Sequence, residues 1–184
     1  MEAAYPGRPV VHADLQDMRQ VTSGIQYQKG AWVLHMLREE IGANVFRQGI
    51  RNYYARYRDK NASTADFRAV MEETSGEDLE WFFDQWLTRS VSPAVKVAWH
   101  YDESKKEVVI DIEQTQGGDS YVLPLEIAVV DTAGRRTKVA IVMESDKERI
   151  TVAQAVAPSS LIVDPDTKSL LRWEIIERKS PARP

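Results

Sequence analysis

Residues 27–38 read YQKGAWVLHMLR, and apolar side chains fall on almost every side of the helix that this stretch would form. A helix whose apolar residues are not confined to one stripe is typical of an interior element. Thr22 or Ser23 can cap its N-terminus, and Gly42 can end it after Ile41. The stretch therefore predicts a helix that runs to Ile41 and is buried among other elements.

Three further helices are predicted downstream. The second begins near Asn44, where apolar and tyrosine residues recur at steps of three and four. Ser63 or Thr64 caps a short third helix that ends at Gly76. The fourth spans residues 78–87, and its four aromatic side chains belong between other elements. The first half of the chain is therefore predicted to be helical.

From Pro93 onward the apolar residues alternate with polar ones, which is the pattern of half-buried strands. Pro124 interrupts one predicted strand and indicates an edge position or a bulge. Seven short strands predict an antiparallel β-sandwich, and they lie near residues 95–99, 108–112, 122–130, 138–143, 150–152, 161–163 and 171–175. The fold class is therefore α+β. The predicted divisions are an extended lead-in (1–21), a helical part (22–92), the β-sandwich (93–177) and a tail (178–184).

The composition excludes several classes of protein. The net charge is −4, with 24 basic and 28 acidic residues and no basic stripe, which argues against nucleic-acid binding. There is no cysteine, which excludes disulfides, thiolate nucleophiles and thiolate zinc sites. No apolar run approaches about 18 residues, so no membrane span is predicted. Met1 to Asp17 lacks the apolar stretch of a signal peptide, and the compartment stays open between cytoplasmic and exported.

The segment YQKGAWVLHMLREEIG is followed by a series of shorter motifs. They are Phe46 and Gly49 with Arg51-Asn52-Tyr53-Tyr54, then Ala65-Asp66-Phe67, Ser75-Gly76, and Trp81-Phe82-Phe83-Asp84-Gln85-Trp86. In order and spacing, this set resembles the zinc aminopeptidases of the membrane-alanyl-aminopeptidase (gluzincin) family. The resemblance implies the helical end of a thermolysin-like catalytic domain, followed by a β-sandwich domain. It also implies a parent protein that uses zinc to hydrolyse N-terminal residues from peptides.

The zinc site of that family is His-Glu-x-x-His on one helix, with a glutamate from the next helix as the third ligand. Two histidines at i and i+4 share one helix face, which is why that spacing binds zinc. The histidines of this chain, His12, His35 and His100, are too far apart in sequence to form the motif. The resemblance therefore implies a zinc site in residues that precede Met1. We expect a C-terminal fragment that binds no cofactor, is inactive alone and has the missing N-terminal catalytic half as its partner.

Tyr27 is the candidate catalytic residue. By resemblance it is the donor that stabilises the oxyanion formed during peptide hydrolysis. A phenol suits this role because its ordinary pKa, near 10, keeps the proton in place at neutral pH. Without the resemblance, Tyr27 would be an ordinary helix tyrosine with its ring in a core. Gly30, one turn later, predicts a close backbone approach, since glycine inside a helix costs about 1 kcal/mol relative to alanine.

Other candidate residues have simpler interpretations. His35 is more typical of a hydrogen-bonded core histidine than of a ligand. Three clusters of acidic residues could perform acid–base chemistry but are more typical of solvated helix faces. They are Glu39-Glu40, Glu72-Glu73 and the segment from Glu77 to Glu80. Three tyrosines at helical spacing could form a stacking platform but are more typical of a packing stripe; they are Tyr53, Tyr54 and Tyr57.

Two alternative functions remain open from the sequence. The chain could be a non-catalytic binding or structural module, or an inactive relative of the peptidase that uses its helical surface and β-sandwich for protein interaction. A free-standing module would expose the apolar surface of residues 31–37. For the isolated chain, this surface predicts self-association.

Overall fold

The computed structural model describes residues 9–11 and 24–178. Most of the predicted lead-in and tail lies outside these ranges. The chain divides into two compact units, which we call the helical unit (Met1–Val91) and the sheet unit (Ser92–Pro184). Within the described ranges, no helix is both long enough and apolar enough to cross a membrane.

The described part of the helical unit contains four α-helices: α1 (Gly24–Ile41), α2 (Ala43–Tyr57), α3 (Thr64–Ser75) and α4 (Glu80–Thr88). The predicted helix ends at Gly42 and Gly76 are confirmed, and both glycines have positive φ angles, 83° and 76°. Gly76 is the left-handed C-cap of α3, a conformation that glycine adopts without steric cost. Local backbone chemistry therefore sets these two boundaries.

The prediction that α1 is buried among other elements is wrong for one of its faces. Val33, Met36, Leu37 and Ile41 are buried, but Leu34 is exposed, as are Ala31 and Tyr27. Within the helical unit α1 contacts α2 and α4, which cover one of its faces. The apolar content of α1 therefore exceeds what these neighbours bury.

The core of the helical unit is built around α4. Five of its nine residues are buried, and Trp86 is 1% exposed. Phe67 of α3 meets Phe83 edge-on, with ring centroids 6.0 Å apart. Fully burying such a side chain contributes about 1.5–3 kcal/mol. This burial explains why so short a helix is stable.

The sheet unit contains seven strands: β1 (Ala94–Asp102), β2 (Glu107–Gln114), β3 (Leu123–Val130), β4 (Arg136–Met143), β5 (Lys147–Ala153), β6 (Ser160–Val163) and β7 (Arg172–Glu177). They form a four-stranded sheet in the order β5-β2-β1-β7 and a three-stranded sheet in the order β4-β3-β6. The α+β class is confirmed. One pair departs from the antiparallel expectation, because β7 runs parallel to β1.

Alternation along β1 and β2 sets their register. Val97 pairs with Ile112 and Trp99 with Ile110, and all four are buried. A slip of one residue would move these side chains to the opposite face, so burial specifies the pairing. The alternating pattern was therefore sufficient to find these strands.

β3 is the central strand of its sheet, but Pro124 has a paired strand on one side only, so the predicted edge position holds at this residue and not for the strand as a whole. The ladder between β3 and β6 begins only at Ile127, while Pro124 pairs with Val142 of β4. Proline cannot donate a ladder hydrogen bond. It is accommodated because β6 does not pair with this part of the strand.

Candidate active site

Tyr27 lies in the first turn of α1 and is 71% exposed. It borders an open depression in the helical unit with a volume of about 530 Å³. The depression is lined by Tyr27, Gly30, Ala31, Val33, Leu34, Tyr53, Ala62, Ser63, Thr64, Phe67, Phe83 and Leu87. The structure therefore places the candidate catalytic tyrosine at the surface of a mostly apolar concavity, with its ring outside the core.

Lys29 follows Tyr27 by two residues on α1 and is buried. Its Nζ donates a hydrogen bond of 2.8 Å to the backbone oxygen of Arg89, directly after α4. The sequence alone did not identify Lys29 as a functional residue. The signal that could have found it is a lone basic residue at the start of an otherwise apolar helix.

Gly30 does not show the predicted close approach. A Cβ built on Gly30 meets no other atom within 4 Å among the described residues. The close approach occurs instead at Gly49 of α2, where a Cβ would contact the side chain of Met71 in α3. The helical glycine that packing requires is therefore Gly49.

The described residues contain no cluster of three or more potential metal ligands. His35 is half-buried, and its ring meets Trp32 edge-on at 5.5 Å. His100 lies in β1 of the sheet unit, and His12 lies outside the described residues. The donor set in the described ranges does not fit a zinc ion.

The tyrosines of α2 divide into two kinds. Tyr53 packs against Tyr57 at 5.2 Å and against Phe67 at 5.1 Å. The Tyr57 hydroxyl donates to Asp66, and the pKa of Tyr57 is raised by burial and by this hydrogen bond. Tyr54 is 66% exposed. A packing stripe therefore describes two of the three residues.

Acidic residues of the helical unit make structural contacts. Glu73 pairs with Arg56 at 2.6 Å, and Glu72 accepts a hydrogen bond from the backbone N–H of Leu79, the N-cap of α4. Glu40 of α1 is half-buried, and its pKa is raised first by burial and then by the charge of Glu77. These contacts support the interpretation of helix surfaces and caps over acid–base catalysis.

Comparison with known proteins identifies relatives of the chain. Residues 3–86 match the model of the peptidase family M1 domain. The chain is 29% identical over 150 residues to aminopeptidase A of Gloydius brevicauda, a match that covers 80% of this chain and 15% of that protein. It is 26% identical over 153 residues to glutamyl aminopeptidase of Rattus norvegicus, with 82% and 16% covered.

A solved structure has the same fold. Legionella pneumophila aminopeptidase A in complex with aspartic acid aligns with a TM-score of 0.79 at 16% identity. This match covers 91% of the present chain and 20% of the Legionella protein. At this identity the likeness shows the fold alone.

These findings define the class of protein. Residues 3–86 match the peptidase family M1 domain, and the chain is a relative of the M1 aminopeptidases, a family of zinc metallopeptidases. The resemblance seen in the sequence is confirmed. The chain spans about 15–16% of the length of the two vertebrate relatives.

Proposed function

We propose that this chain is the C-terminal portion of a zinc aminopeptidase of family M1, in which Tyr27 donates the hydrogen bond that stabilises the oxyanion of the scissile peptide. One observation carries the proposal. Tyr27 lies within the family-matched segment, in the first turn of α1, with its ring exposed beside an open depression. In this proposal residues 22–92 form the helical end of the catalytic domain, and residues 93–177 form a supporting β-sandwich.

The first turn of a helix suits an oxyanion donor for two reasons. The helix fixes the direction in which the phenol points, and the unpaired amides at its N-terminus favour negative charge nearby. A preorganised donor needs no reorganisation when charge develops in the transition state. Tyr27 therefore offers the peptide a donor whose position is set before the reaction.

The remainder of the site would come from the longer protein. The described residues offer no metal-ligand set, so zinc and the base that activates water are assigned to segments outside them. The exposed face of α1, which carries Tyr27, Ala31 and Leu34, is the surface that we assign to the rest of the catalytic domain. This chain spans about 15–16% of the length of the two vertebrate relatives, so a protein of similar length would have room for such a segment.

The first test is the size of the natural gene product. An antibody raised against this chain would be used to blot extracts of the source cells, with the recombinant 21.0 kDa chain as the marker. A band several times larger, with zinc and aminopeptidase activity in the immunoprecipitate, supports the proposal. A band at 21.0 kDa supports a stand-alone binding module or an inactive relative.

The second test is Tyr27→Phe in the gene product. Removing one oxyanion donor typically lowers kcat by about 10²–10³-fold. Tyr54→Phe is the matched control, because Tyr54 is similarly exposed but lies on α2, outside the lining of the depression. A Tyr27→Phe enzyme that turns over as fast as Tyr54→Phe would remove the catalytic assignment.

The isolated chain tests the assignment of the α1 face. If a partner segment normally covers this face, the chain alone should self-associate at high concentration. Light scattering of the chain and of its Leu34→Lys variant would be compared, since Leu34 is an exposed apolar residue on this face. A monodisperse monomer for the parent chain would contradict the assignment.

A further inference from the structure

Lys29 is the charged side chain of α1 that the structure buries, at 2% exposure. Lysine is almost never fully buried unless its nitrogen has partners. Burying its amine costs free energy that only specific hydrogen bonds can offset. Its burial therefore points to a defined role for the nitrogen.

The nitrogen of Lys29 reaches the C-terminal end of α4. It donates to the backbone oxygen of Arg89, the C-cap residue of that helix, at 2.8 Å. The last carbonyls of a helix lack intrahelical partners, and the negative end of the helix dipole favours a cation there. The same end also receives the backbone N–H groups of Val10 and Val11 on the oxygen of Leu87. Lys29 thus links α1 to the C-terminal end of α4 by a hydrogen bond.

Of the side chains of α1 that the structure describes, Lys29 is the buried one nearest to Tyr27 in the sequence. Two residues of a helix correspond to about 200° of rotation, so Lys29 faces the interior where Tyr27 faces outward. Among the described side chains of α1, Lys29 is the first that is buried, and Val33 follows one turn later. The hydrogen bond between Lys29 and Arg89 therefore anchors α1 two residues after Tyr27.

We infer that Lys29 is the positioning residue for Tyr27: its hydrogen bond to the end of α4 holds the first turn of α1 so that the phenol points at the substrate carbonyl. The inference rests on the proposed function, because it matters for catalysis only if Tyr27 is the donor. Lys29 itself touches no reacting atom in this account. Its effect on turnover passes entirely through Tyr27.

The first experiment measures the anchor in the isolated chain by amide hydrogen exchange. Lys29→Met keeps the length and apolar stem of the side chain but removes the donor, while Lys29→Arg keeps a donor. We expect exchange in the first turns of α1 to become about 10- to 100-fold faster in Lys29→Met, the effect of losing a charge-assisted hydrogen bond. Lys29→Arg should restore part of the protection. The control is Arg38→Met, because Arg38 is an exposed cation on the same helix.

The second experiment measures turnover in the gene product. A displacement of about 1 Å can cost on the order of 100-fold in rate, so Lys29→Met should lower kcat about 10- to 100-fold with little change in KM. If Lys29 acts through Tyr27, the double variant Tyr27→Phe/Lys29→Met should be no slower than Tyr27→Phe alone. A purely structural lysine would instead give multiplicative losses.

The outcomes separate the two proposals. Normal turnover in Tyr27→Phe overturns the proposed function and this inference together. If Tyr27→Phe lowers turnover but Lys29→Met leaves both hydrogen exchange and kcat normal, only the inference about Lys29 is overturned. Multiplicative losses in the double variant overturn it as well. Faster exchange, a lower kcat, rescue by arginine and a non-additive double variant support it.

Discussion

Gly49→Ala tests the contact between α2 and the side chain of Met71 in α3. Gly49 lies inside α2, and an added Cβ would lie 3.1 Å from Cε of Met71 and nearer still to its sulfur. Met71 is 0% exposed, so its side chain cannot move aside into solvent. Overpacking of this kind costs about 1–3 kcal/mol. Alanine also gains up to about 1 kcal/mol of helix propensity over glycine. The expected net effect is a loss of up to about 2 kcal/mol.

Gly30→Ala is the matched control for this prediction. Gly30 also lies inside a helix, but its added Cβ meets nothing within 4 Å among the described atoms. Only the propensity gain acts there, so Gly30→Ala should stabilise the helical unit by about 0.5–1 kcal/mol. The free energy of unfolding would be measured in urea by circular dichroism at 222 nm, which follows the helices. The two variants should differ by about 1–3 kcal/mol.

A double-mutant cycle identifies the atoms responsible. Met71→Ala removes the sulfur and Cε that the new methyl group would meet. In that background Gly49→Ala should be neutral or stabilising, which corresponds to a coupling energy within the 0.5–3 kcal/mol typical of residues in contact. The steric argument is refuted if Gly49→Ala is as stabilising as Gly30→Ala, or if its cost is unchanged without Met71.

Three further predictions concern the cap of α3 and the carboxyl groups of Asp66 and Glu40. Ser63→Ala should destabilise the helical unit by about 1 kcal/mol, because Ser63 and Asp66 form a capping box at the start of α3; Thr64→Ala is the control, measured by urea unfolding. Hydrogen bonds from Ser63 and Tyr57 lower the folded-state pKa of Asp66, so the stabilisation from its ionised form is present above pH 3.8 and is lost as the pH falls through the lowered value. Burial raises the folded-state pKa of Glu40, so its neutral form favours folding below pH 4.5 and that contribution is lost as the pH rises through the raised value. Glu40→Gln should therefore increase the urea midpoint at pH 7 but not at pH 3, and an equal increase at both would contradict this.

Features fixed by local chemistry could be predicted from the sequence. Ser63 was one of two expected caps and proves to be the N-cap of α3, with Thr64 as the first helical residue. Gly42 and Gly76 end their helices because the backbone there adopts positive φ angles. Strand alternation located β1 and β2 because one face of each is buried. In each case the deciding interaction lies within a few residues of the signal.

Features set by distant neighbours could not be predicted in this way. The parallel pairing of β7 with β1 joins residues 78 positions apart, such as Ala94 and Arg172 (172 − 94), and no local pattern encodes its direction. Gly30 and Gly49 look equivalent in the sequence, and only the presence of Met71 distinguishes them. The position of Tyr27 in the first turn of α1 followed from the sequence, but the anchor at Lys29 required knowledge of where α4 ends.

Because Tyr27 is exposed, its effect on turnover can be measured separately from its effect on stability. An oxyanion donor is most effective where water is excluded, and a phenol that is 71% exposed in this chain competes with solvent for its partner. Its full effect on a transition state therefore requires the segment that we propose to cover the outer face of α1. The same exposure means that Tyr27→Phe should change the stability of the isolated chain by no more than about 0.5 kcal/mol. If Tyr27→Phe greatly lowers turnover in the gene product and leaves the urea midpoint of the isolated chain unchanged, Tyr27 is catalytic. If Tyr27→Phe also lowers the stability of the isolated chain, Tyr27 is an ordinary helix tyrosine with a structural role.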